Sequence, residues 1–431
     1  MTTTPEKGSK KLINAWAFYD WANSVYNLVI TATIFPIYFK LVTETKNADG
    51  SVNNVIEFLG IKLKNTTLYD FALSFAFLLI VLIAPFLSGI ADYGGYKKKF
   101  MQFFSYLGAL SCSLLFFFDD TNLWLGIILS ILACIGYSGS LVFYNAFLPE
   151  IAHPEQQDRV SAKGFALGYF GSALLLIVCL VLMLNQDDGS GKMQMMRYSF
   201  LMVGIWWFAF AQIPFYYLPN NPTNAHPEGN NLKRGYQEIA KVWKELKHTP
   251  RLKRFLLAFF VYSMGVQTVM LVANHFGSDV IEMEPSQLIT TILIIQFVAI
   301  FGAFLFSWTS GKIGNIRTLR LATLIWAAIC AFTFFLVYKS GEFYIVATFV
   351  GLVMGGIQSL SRSTYSKLLP ETEDHASYFS FFDICEKLSI VFGMGLFGFI
   401  NEVSPSMREP IVVLISFFIL GYLLLWRVKD K

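Results

Sequence analysis

Residues 71–91 read FALSFAFLLIVLIAPFLSGIA, a run of 21 residues without Asp, Glu, Lys or Arg. As a helix this run is about 30 Å long, which matches the hydrocarbon core of a bilayer. Ten other runs also lack these four residue types, at 21–39, 100–118, 121–149, 164–186, 198–218, 255–278, 285–311, 321–338, 343–361 and 410–426. A further apolar stretch, 376–401, contains only three charged residues. Because lipid offers the backbone no hydrogen bonds, we predict an all-α membrane protein with twelve transmembrane helices.

The composition of the 431-residue chain also indicates a membrane protein. Hydrophobic residues make up 55% of the chain and charged residues 14%, whereas about 25% of residues are charged in soluble domains. The mean hydropathy is +0.53. These values exclude a disordered chain and a nucleic-acid binder, and they argue against a soluble enzyme. All five cysteines lie within apolar runs, which argues against a disulfide framework and a metal site.

Basic residues are unevenly divided between the two sets of loops that alternate along the twelve predicted spans. The set that includes both chain ends holds 24 Lys and Arg residues, and the other set holds 8. Membrane proteins retain such residues on the cytoplasmic side. The asymmetry predicts cytoplasmic termini in an integral, multi-pass protein, which would lie in the plasma or inner membrane if the organism is a prokaryote.

A polar segment divides the predicted spans into two groups of six. Within it, Tyr236, Ile239, Trp243 and Leu246 recur at helical spacing while lysines occupy the other faces. This pattern predicts a basic amphipathic helix that lies either on the anionic cytoplasmic leaflet or in solvent as a linker. The expected organisation is a cytoplasmic N-terminus (1–13), an N-terminal six-helix bundle (14–218), the cytoplasmic linker (219–252), a C-terminal six-helix bundle (253–426) and a cytoplasmic tail (427–431).

The two halves carry similar cytoplasmic turns. SGIADYGGYKKK at 88–99 follows the second predicted span, and SGKIGNIR at 310–317 follows the eighth. Both turns begin with Ser-Gly, both place a basic residue three positions after a glycine, and they lie 222 residues apart. A parallel repeat of two six-helix bundles is the architecture of major facilitator transporters.

The first of these turns resembles the signature loop of the major facilitator superfamily. Asp92, Gly95 and Lys97 match its pattern, whereas Ser88 replaces its first glycine and the second turn has no aspartate. In the superfamily this loop helps to hold the cytoplasmic side closed. The resemblance therefore implies that the three matching residues belong to a cytoplasmic gate.

A second resemblance covers nearly the whole chain. Its motifs are AWAFYDWANS at 15–24, YNAFLPE at 144–150, SAKGFALGYFG at 161–171, GGIQSLSRS at 355–363, and Phe382-Asp383 with Lys387. In this order they are similar to the "unknown major facilitator" family, whose best-described relative is the autophagy-related vacuolar amino-acid effluxer of yeast. The resemblance implies a major facilitator fold, with an amino acid as the cargo.

Several predicted spans carry polar side chains that lipid would not tolerate, so these side chains should face a hydrated passage or one another. At helical spacing, Asp20, Asn23 and Asn27 fall on one side of the first span. The predicted substrate or proton pathway comprises Asp20, Asn23, Asn27, Gln267, Asn274, Gln358, Asp383, Glu386 and Lys387. The predicted gate comprises Asp92, Gly95, Lys97 and Arg362.

These charged residues also have structural interpretations. Asp383 and Lys387 lie one helical turn apart, so they could form a permanent ion pair that fixes one helix against another. Asp20 could tether two helices rather than take part in transport. Arg362 could close the gate or bind a lipid phosphate rather than cargo, because its long side chain can extend toward the membrane surface.

Together these features predict a secondary active transporter whose two bundles rock around a site near the middle of the membrane. The cargo would be a small polar metabolite, and an amino acid would suit a pocket that holds both signs of charge. Burial favours a neutral carboxyl group and a nearby ammonium favours the charged form. Movement of Lys387 relative to Asp20 or Asp383 could therefore couple transport to protons, and no other cofactor is expected.

Two other functions fit the same sequence. The fold could export an amphipathic compound such as a drug or a lysolipid, or the chain could be a receptor or scaffold that transports nothing. The sequence contains no H-E-x-x-H zinc motif, G-x-S-x-G elbow or P-loop, so we expect neither an enzyme nor a primary pump. The expected partners are membrane lipids and a small-molecule substrate, without nucleic acid, and the expected state is a monomer.

Overall fold

A computed structural model describes residues 6–46, 52–220, 231–404, 406 and 408–428. Within these ranges, ten helices are long and apolar enough to cross a membrane. The prediction of a helical membrane protein is therefore confirmed. Two further helices follow them: one is equally long but carries internal charges, and the other is apolar but has only 15 residues.

The helices and strands are numbered in chain order. In the first half they are α1 (Lys10–Thr43), β1 (Thr45–Lys46), β2 (Val52–Asn53), β3 (Val55–Phe58), β4 (Ile61–Lys64), α2 (Asn65–Gly94), α3 (Lys97–Phe117), α4 (Leu123–Ile151), α5 (Pro154–Leu184) and α6 (Gly189–Tyr217). The linker helix is α7 (Asn231–His248). The second half contains α8 (Pro250–Asp279), α9 (Pro285–Ile313), α10 (Asn315–Leu336), α11 (Ser340–Leu368), α12 (His375–Val403) and α13 (Ile411–Leu425).

Proline and glycine mark several of the helix ends. The helices α5, α8 and α9 begin with proline, whose missing N–H costs nothing in the first turn. Gly95 ends α2 with a φ of 66°, a left-handed conformation that favours glycine. The sequence did not predict the strands, which form two antiparallel hairpins between α1 and α2.

Helix α1 is not a regular α-helix throughout. Its central segment, Tyr26–Ile34, is a π-helix, and the Thr33 hydroxyl donates to the Leu28 carbonyl oxygen across it at 2.7 Å. Wider turns of this kind change which side chains share a face and are frequent at functional sites. The polar stripe predicted from regular α-helical spacing is therefore altered beyond Val25.

The two groups of helices meet along two seams. Helix α5 of the first half packs against α9 and α11 of the second half. Helix α12 of the second half packs against α2 and α4 of the first. Since each half contributes to both seams, the interior between the halves is lined from both sides.

One end of the bundle, called here the linker end, carries the start of α1, the α2–α3 and α4–α5 turns, and α7. The Gly8 amide donates to the Ile151 carbonyl oxygen at 2.8 Å, which places the start of the chain beside the end of α4. The Arg254 side chain donates to the Arg427 carbonyl oxygen at 3.2 Å, so the last described residues lie beside the start of α8. Both ends of the described chain therefore lie at the linker end.

The linker helix docks onto the bundle. It packs along α2, with Val242 and Leu246 buried, and the Trp243 ring stacks on Phe381 of α12 with 5.9 Å between centroids. The side chains of Tyr236 and Ile239 lie outside the described residues. The predicted helix is present. Of the apolar positions in the predicted pattern, Leu246 is buried against the bundle and Trp243 is 58% exposed, whereas Val242, which the pattern did not include, is also buried.

Glycines allow α9 and α11 to pack with their backbones in contact. A Cβ atom at Gly351 would lie 2.6 Å from the Ile295 carbonyl oxygen, and one at Gly355 would overlap the Ala299 carbonyl oxygen. Close approach of this kind is how membrane helices gain packing energy where lipid competes for apolar surface. By contrast, no described residue outside the local backbone of its own helix places an atom within 4 Å of the Cβ position at Gly341.

We expect Gly355→Ala to lower the free energy of unfolding by about 1–3 kcal/mol, because the methyl group forces α9 and α11 apart. The matched variant Gly341→Ala should have the same free energy of unfolding as the unsubstituted protein or a higher one, since alanine is the better helix former. Thermal unfolding of the two variants in detergent measures the difference. Equal melting temperatures for the two variants would contradict this account of the α9–α11 contact.

Candidate functional site

A buried ion pair joins the two halves near the linker end. Asp20 of α1 and Arg362 of α11 are 5% and 3% exposed, and the Arg362 Nη2 atom lies 3.2 Å from the Asp20 Oδ2 atom. The Tyr144 hydroxyl of α4 donates to the same carboxylate oxygen at 2.9 Å. The carboxylate thus has a cation and a hydroxyl donor within hydrogen-bond distance, as a buried charge requires.

The Arg362 guanidinium has partners for each of its nitrogen atoms. Its Nε atom donates to the Ser161 hydroxyl at 2.9 Å, and its Nη2 atom donates to the Ser161 carbonyl oxygen at 3.0 Å. Its Nη1 atom donates to Asp20 at 3.2 Å and to the Asn145 side-chain oxygen at 3.3 Å. The aromatic rings of Trp16 and Phe165 lie over the guanidinium at 4.8 and 4.2 Å. Arg362 therefore binds α1, α4 and α5 of the opposite half at once.

A cavity of about 200 Å³ lies between the halves, beside this ion pair. Asp20 and Arg362 line it, with hydrogen-bonding and aromatic side chains from both halves around it. These include Asn27, Thr31, Tyr137, Tyr169, Gln267, Gln296 and Gln358, and the phenylalanines Phe77, Phe165, Phe259 and Phe382. Three of the polar atoms that are buried there, Thr31 Oγ1, Ser138 Oγ and Gln296 Oε1, have no hydrogen-bond partner among the described residues.

A second group of charges lies on α12 at the opposite wall. The Lys387 Nζ atom is 3.2 Å from both the Asp383 Oδ1 and the Glu386 Oε2 atoms. Glu386 also accepts a hydrogen bond from Gln267 at 3.2 Å. Lys387 and Glu386 line the cavity, whereas Asp383 is buried behind them. One cation is therefore shared by two carboxylates, and the Asp383 Oδ2 atom has no partner among the described residues.

The structure brings together most of the residues predicted for the pathway. Six of them line the same cavity between the halves: Asp20, Asn27, Gln267, Gln358, Glu386 and Lys387. Gln358 accepts a hydrogen bond from Tyr169 at 2.6 Å across the α5–α11 seam. Asn23 is fully buried and Asn274 half-buried, but neither lines the cavity. Asn23 lies at the edge of the predicted stripe, which explains its different surroundings.

The predicted gate residues of the first turn lie at the linker end and contact the second half. Asp92 accepts hydrogen bonds from the backbone amides of Ala376 and Ser377, at 3.1 and 2.7 Å, and so caps the start of α12. Gly95 supplies the left-handed residue that turns the chain toward α3. A carboxylate at a helix N-terminus is stabilised by the free amides and by the helix dipole.

Lys97 takes part in a chain of charges beside this cap. It is 1% exposed and pairs with Glu150 at the end of α4. Glu150 in turn lies 2.9 Å from the Nδ1 atom of His375, the first residue of α12. We call Asp92, Lys97, Glu150 and His375 the latch cluster, because it joins the first half to α12.

Sequence analysis did not identify Asp158, which forms an equivalent contact on the other seam. Its carboxylate accepts hydrogen bonds from Ser310 and Asn315 of the second turn, both at 2.8 Å, and pairs with Lys367 of α11 at 2.7 Å. The second turn has no aspartate of its own, and Asp158 supplies the carboxylate from α5. The missing aspartate was itself a signal that the acid had to come from the opposite half.

Comparison with known proteins identifies the family. The model of the family described as "Vacuole effluxer Atg22 like" matches residues 8–431. The chain belongs to this family. An uncharacterized MFS-type transporter, YxiO of Bacillus subtilis, is 29% identical to this Atg22-like chain over 97% of the chain and 95% of the relative. Autophagy-related protein 22 of Kluyveromyces lactis is 25% identical, over 96% and 92% of the two chains.

Solved structures with the same fold are major facilitator transporters. The transporter FucP in its outward conformation superposes on this Atg22-like protein with a TM-score of 0.67 at 13% identity, covering 98% of this chain and 99% of the other. The proton:xylose symporter XylE gives a TM-score of 0.70 at 13% identity, covering 97% and 95%. The resemblance stated from the sequence motifs is confirmed, and the chain is a multi-pass membrane transport protein of this fold.

We expect Arg362→Gln to destabilise the protein by about 3–5 kcal/mol, because it leaves the Asp20 carboxylate buried without a cation. The double variant Asp20→Asn/Arg362→Gln should regain a large part of that stability. Thermal unfolding of the single and double variants in detergent gives the coupling energy of the pair. Additive effects of the two substitutions would show that the ion pair does not hold the halves together.

Proposed function

We propose that this chain is a secondary active transporter that carries a small polar metabolite, in particular an amino acid, by alternating access. The observation that carries the proposal is the cavity between the halves, which is lined by charged groups of both signs. In this conformation the linker end is closed by the Asp20–Arg362 pair, the latch cluster and the Asp158 contacts. Breaking these contacts would open the same cavity toward the linker end.

The proposal includes twelve spans with both termini in the cytoplasm. Helix α12 can cross lipid despite its charges, because Asp383 and Lys387 are 3% and 5% exposed and face the protein interior. Helix α13, an apolar helix of 15 residues, is continued by Trp426 at the linker end. The excess of basic residues at the linker end favours the cytoplasm as its location.

Cysteine labelling tests this orientation. Lys62 lies exposed in the β3–β4 hairpin, and Lys247 lies exposed on the linker helix. In intact cells, a membrane-impermeant maleimide should label Lys62→Cys, and it should label Lys247→Cys only after lysis. The unsubstituted protein controls for the native cysteines, four of which are buried. The reverse labelling pattern would contradict cytoplasmic termini.

An amino acid fits the distribution of charge in the cavity. The Glu386 side chain is 28% exposed, and its carboxylate can receive the ammonium group of the cargo. The ammonium of Lys387 lies on the same wall, and it can pair with the cargo's carboxylate once Glu386 pairs with the cargo's ammonium instead. Amide side chains such as Gln296, whose Oε1 atom has no partner among the described residues, can complete the hydrogen bonds of a polar ligand. A volume of about 200 Å³ suits a molecule of this size.

Proton coupling would use the group of charges on α12. Lys387 can neutralise only one of its two neighbouring carboxylates fully, so the other is a suitable proton acceptor in a site of low dielectric. Asp20 is paired with Arg362 in this conformation and becomes available only when the halves separate. The α12 charges and Asp20 would then hold the proton at different stages of the cycle.

An exporter of amphipathic compounds is the second candidate, and one observation favours it. Phe77, Phe165, Phe259 and Phe382 give the cavity aromatic walls that would suit an apolar ligand. The number of charged and amide groups around the same space favours a small polar cargo over a drug or lysolipid. Binding of neutral amino acids and of lysolipids to the purified protein, compared by thermal shift, distinguishes the two candidates.

Uptake by proteoliposomes tests the transport proposal. Labelled neutral, basic and acidic amino acids are supplied with and without a pH gradient. We expect uptake of at least one class, stimulated by the gradient, and a reduction of about tenfold or more for Glu386→Gln. The control Asp120→Asn, which alters an exposed carboxylate between α3 and α4, should transport normally. Unchanged uptake and pH dependence in Glu386→Gln would remove this residue from the mechanism.

A further inference from the structure

The turn of the β3–β4 hairpin carries a leucine where its backbone favours a smaller residue. Phe58 pairs with Ile61, so Leu59 and Gly60 alone connect the strands, with φ of 53° and 78°. A two-residue turn with positive φ at both positions favours Asn, Asp or Gly, because other side chains crowd the backbone there. The Leu59 side chain is 75% exposed. Neither the turn geometry nor packing against the described residues therefore accounts for a leucine at this position.

The hairpin has one apolar and one charged face. Cross-strand partners share a face, and successive residues of a strand point to opposite faces. The apolar face consists of Ile56, Phe58, Ile61 and Leu63, and the charged face consists of Val55, Glu57, Lys62 and Lys64. Ile61 is 59% exposed, although it belongs to the apolar face beside the turn. Apolar surface near the turn is thus left uncovered by the described part of the chain.

The hairpin lies against the start of a membrane-spanning helix. The Phe58 ring, next to the turn, packs on the Trp124 ring with 4.4 Å between centroids. Trp124 is the second residue of α4, and β4 continues directly into α2 at Asn65. Both helices end at the linker end, so they begin at the opposite end of the bundle. The contact between Phe58 and Trp124 therefore places the turn of the hairpin beside the first turn of α4.

This position is level with a membrane interface. Helix α4 has 29 residues and is about 43 Å long, whereas the hydrocarbon core of a bilayer is about 30 Å thick. Its ends therefore reach the headgroup regions, where tryptophan is favoured. Exposed apolar side chains follow on both helices: Phe71 and Phe75 on α2, and Trp124 and Ile128 on α4. The apolar face of the hairpin continues this lipid-facing surface.

We propose that the turn and the apolar face of the β3–β4 hairpin dock into the membrane leaflet opposite the linker end, between the headgroups and the acyl chains. Contact of Leu59 and Ile61 with lipid would bury apolar surface and offset the unfavourable backbone of the turn. The charged face would remain in water. Continuity with the lipid-facing surface favours lipid over a second copy of the chain or another protein. The inference needs only the membrane-spanning helices and does not depend on the cargo.

A spin label at the turn measures its depth in the membrane. Leu59→Cys and the matched variant Lys62→Cys, on the charged face, are labelled in the full chain in lipid nanodiscs. Cys385, the one cysteine that is not fully buried, is replaced by alanine. Oxygen concentrates in lipid and a nickel chelate stays in water, so the ratio of the two collision rates rises with depth. We expect this ratio to be about threefold or more higher at position 59 than at position 62.

A second variant needs no label and distinguishes lipid from water by the sign of its effect. Asparagine suits positive φ better than leucine, so Leu59→Asn would stabilise a hairpin whose turn lies in water. In a docked hairpin the same substitution removes the apolar contact with lipid. We expect the backbone amides of residues 55–64 in nanodiscs to exchange with deuterium about threefold or more faster in Leu59→Asn. Exchange in Lys62→Gln, on the charged face, should match that of the parent protein.

Three results would contradict the inference. Equal collision ratios at positions 59 and 62 would place the turn in water. A label at position 59 that is shielded from both reagents would show that protein covers the turn. Exchange that is slower or unchanged in Leu59→Asn would show that the leucine makes no stabilising contact with lipid. Each of these results would overturn membrane docking and leave the proposed transport function intact, because that function is tested by the uptake of cargo.

Discussion

The architecture depends on the cost of placing an ionised group in a medium of low dielectric. Asp20 and Arg362 are almost completely buried, and each would be strongly destabilising without the other. The two residues belong to different halves. The free-energy cost of leaving either one buried without its partner therefore stabilises the contact between the halves at the linker end. The aromatic rings over the guanidinium exclude water and strengthen this interaction.

Carboxylates that lie between the halves also find hydrogen-bond donors on both seams, but different parts of the chain supply them. On one, the last turn of α2 supplies the carboxylate of Asp92 and α12 supplies backbone amides. On the other, the end of α9 supplies Ser310, the start of α10 supplies Asn315, and Asp158 of α5 supplies the carboxylate. In both contacts the first half supplies the carboxylate and the second half supplies the donors, although the repeated motif carries the acceptor in one case and the donors in the other. Internal repeats in a sequence can therefore conserve an interaction without conserving the residue at each position.

Helical periodicity, charge and turn motifs predicted the features that depend on local sequence. These include the apolar helices, the linker helix and the cavity positions of Asn27, Gln358 and Lys387. The sequence could not predict that Asp20 pairs with Arg362, because 342 positions separate them and several buried cations were available. Sequence analysis also missed the π-helical turns in α1, because these depend on packing. It missed the docking of the linker helix as well, since the two apolar residues buried there would suit a lipid surface equally well.

The hydrogen bonds of Arg362 have a consequence for what can reach it. A guanidinium has five N–H groups, and here five bonds lead to Asp20, Asn145 and the hydroxyl and carbonyl of Ser161. An anion in the cavity can therefore bind this side chain only by displacing an existing acceptor. Lysine has only three N–H groups on a single atom, so no rearrangement of its side chain could satisfy the same set of oxygens. The planar geometry of the guanidinium allows Arg362 to connect three helices of the opposite half. Its charge alone would not suffice.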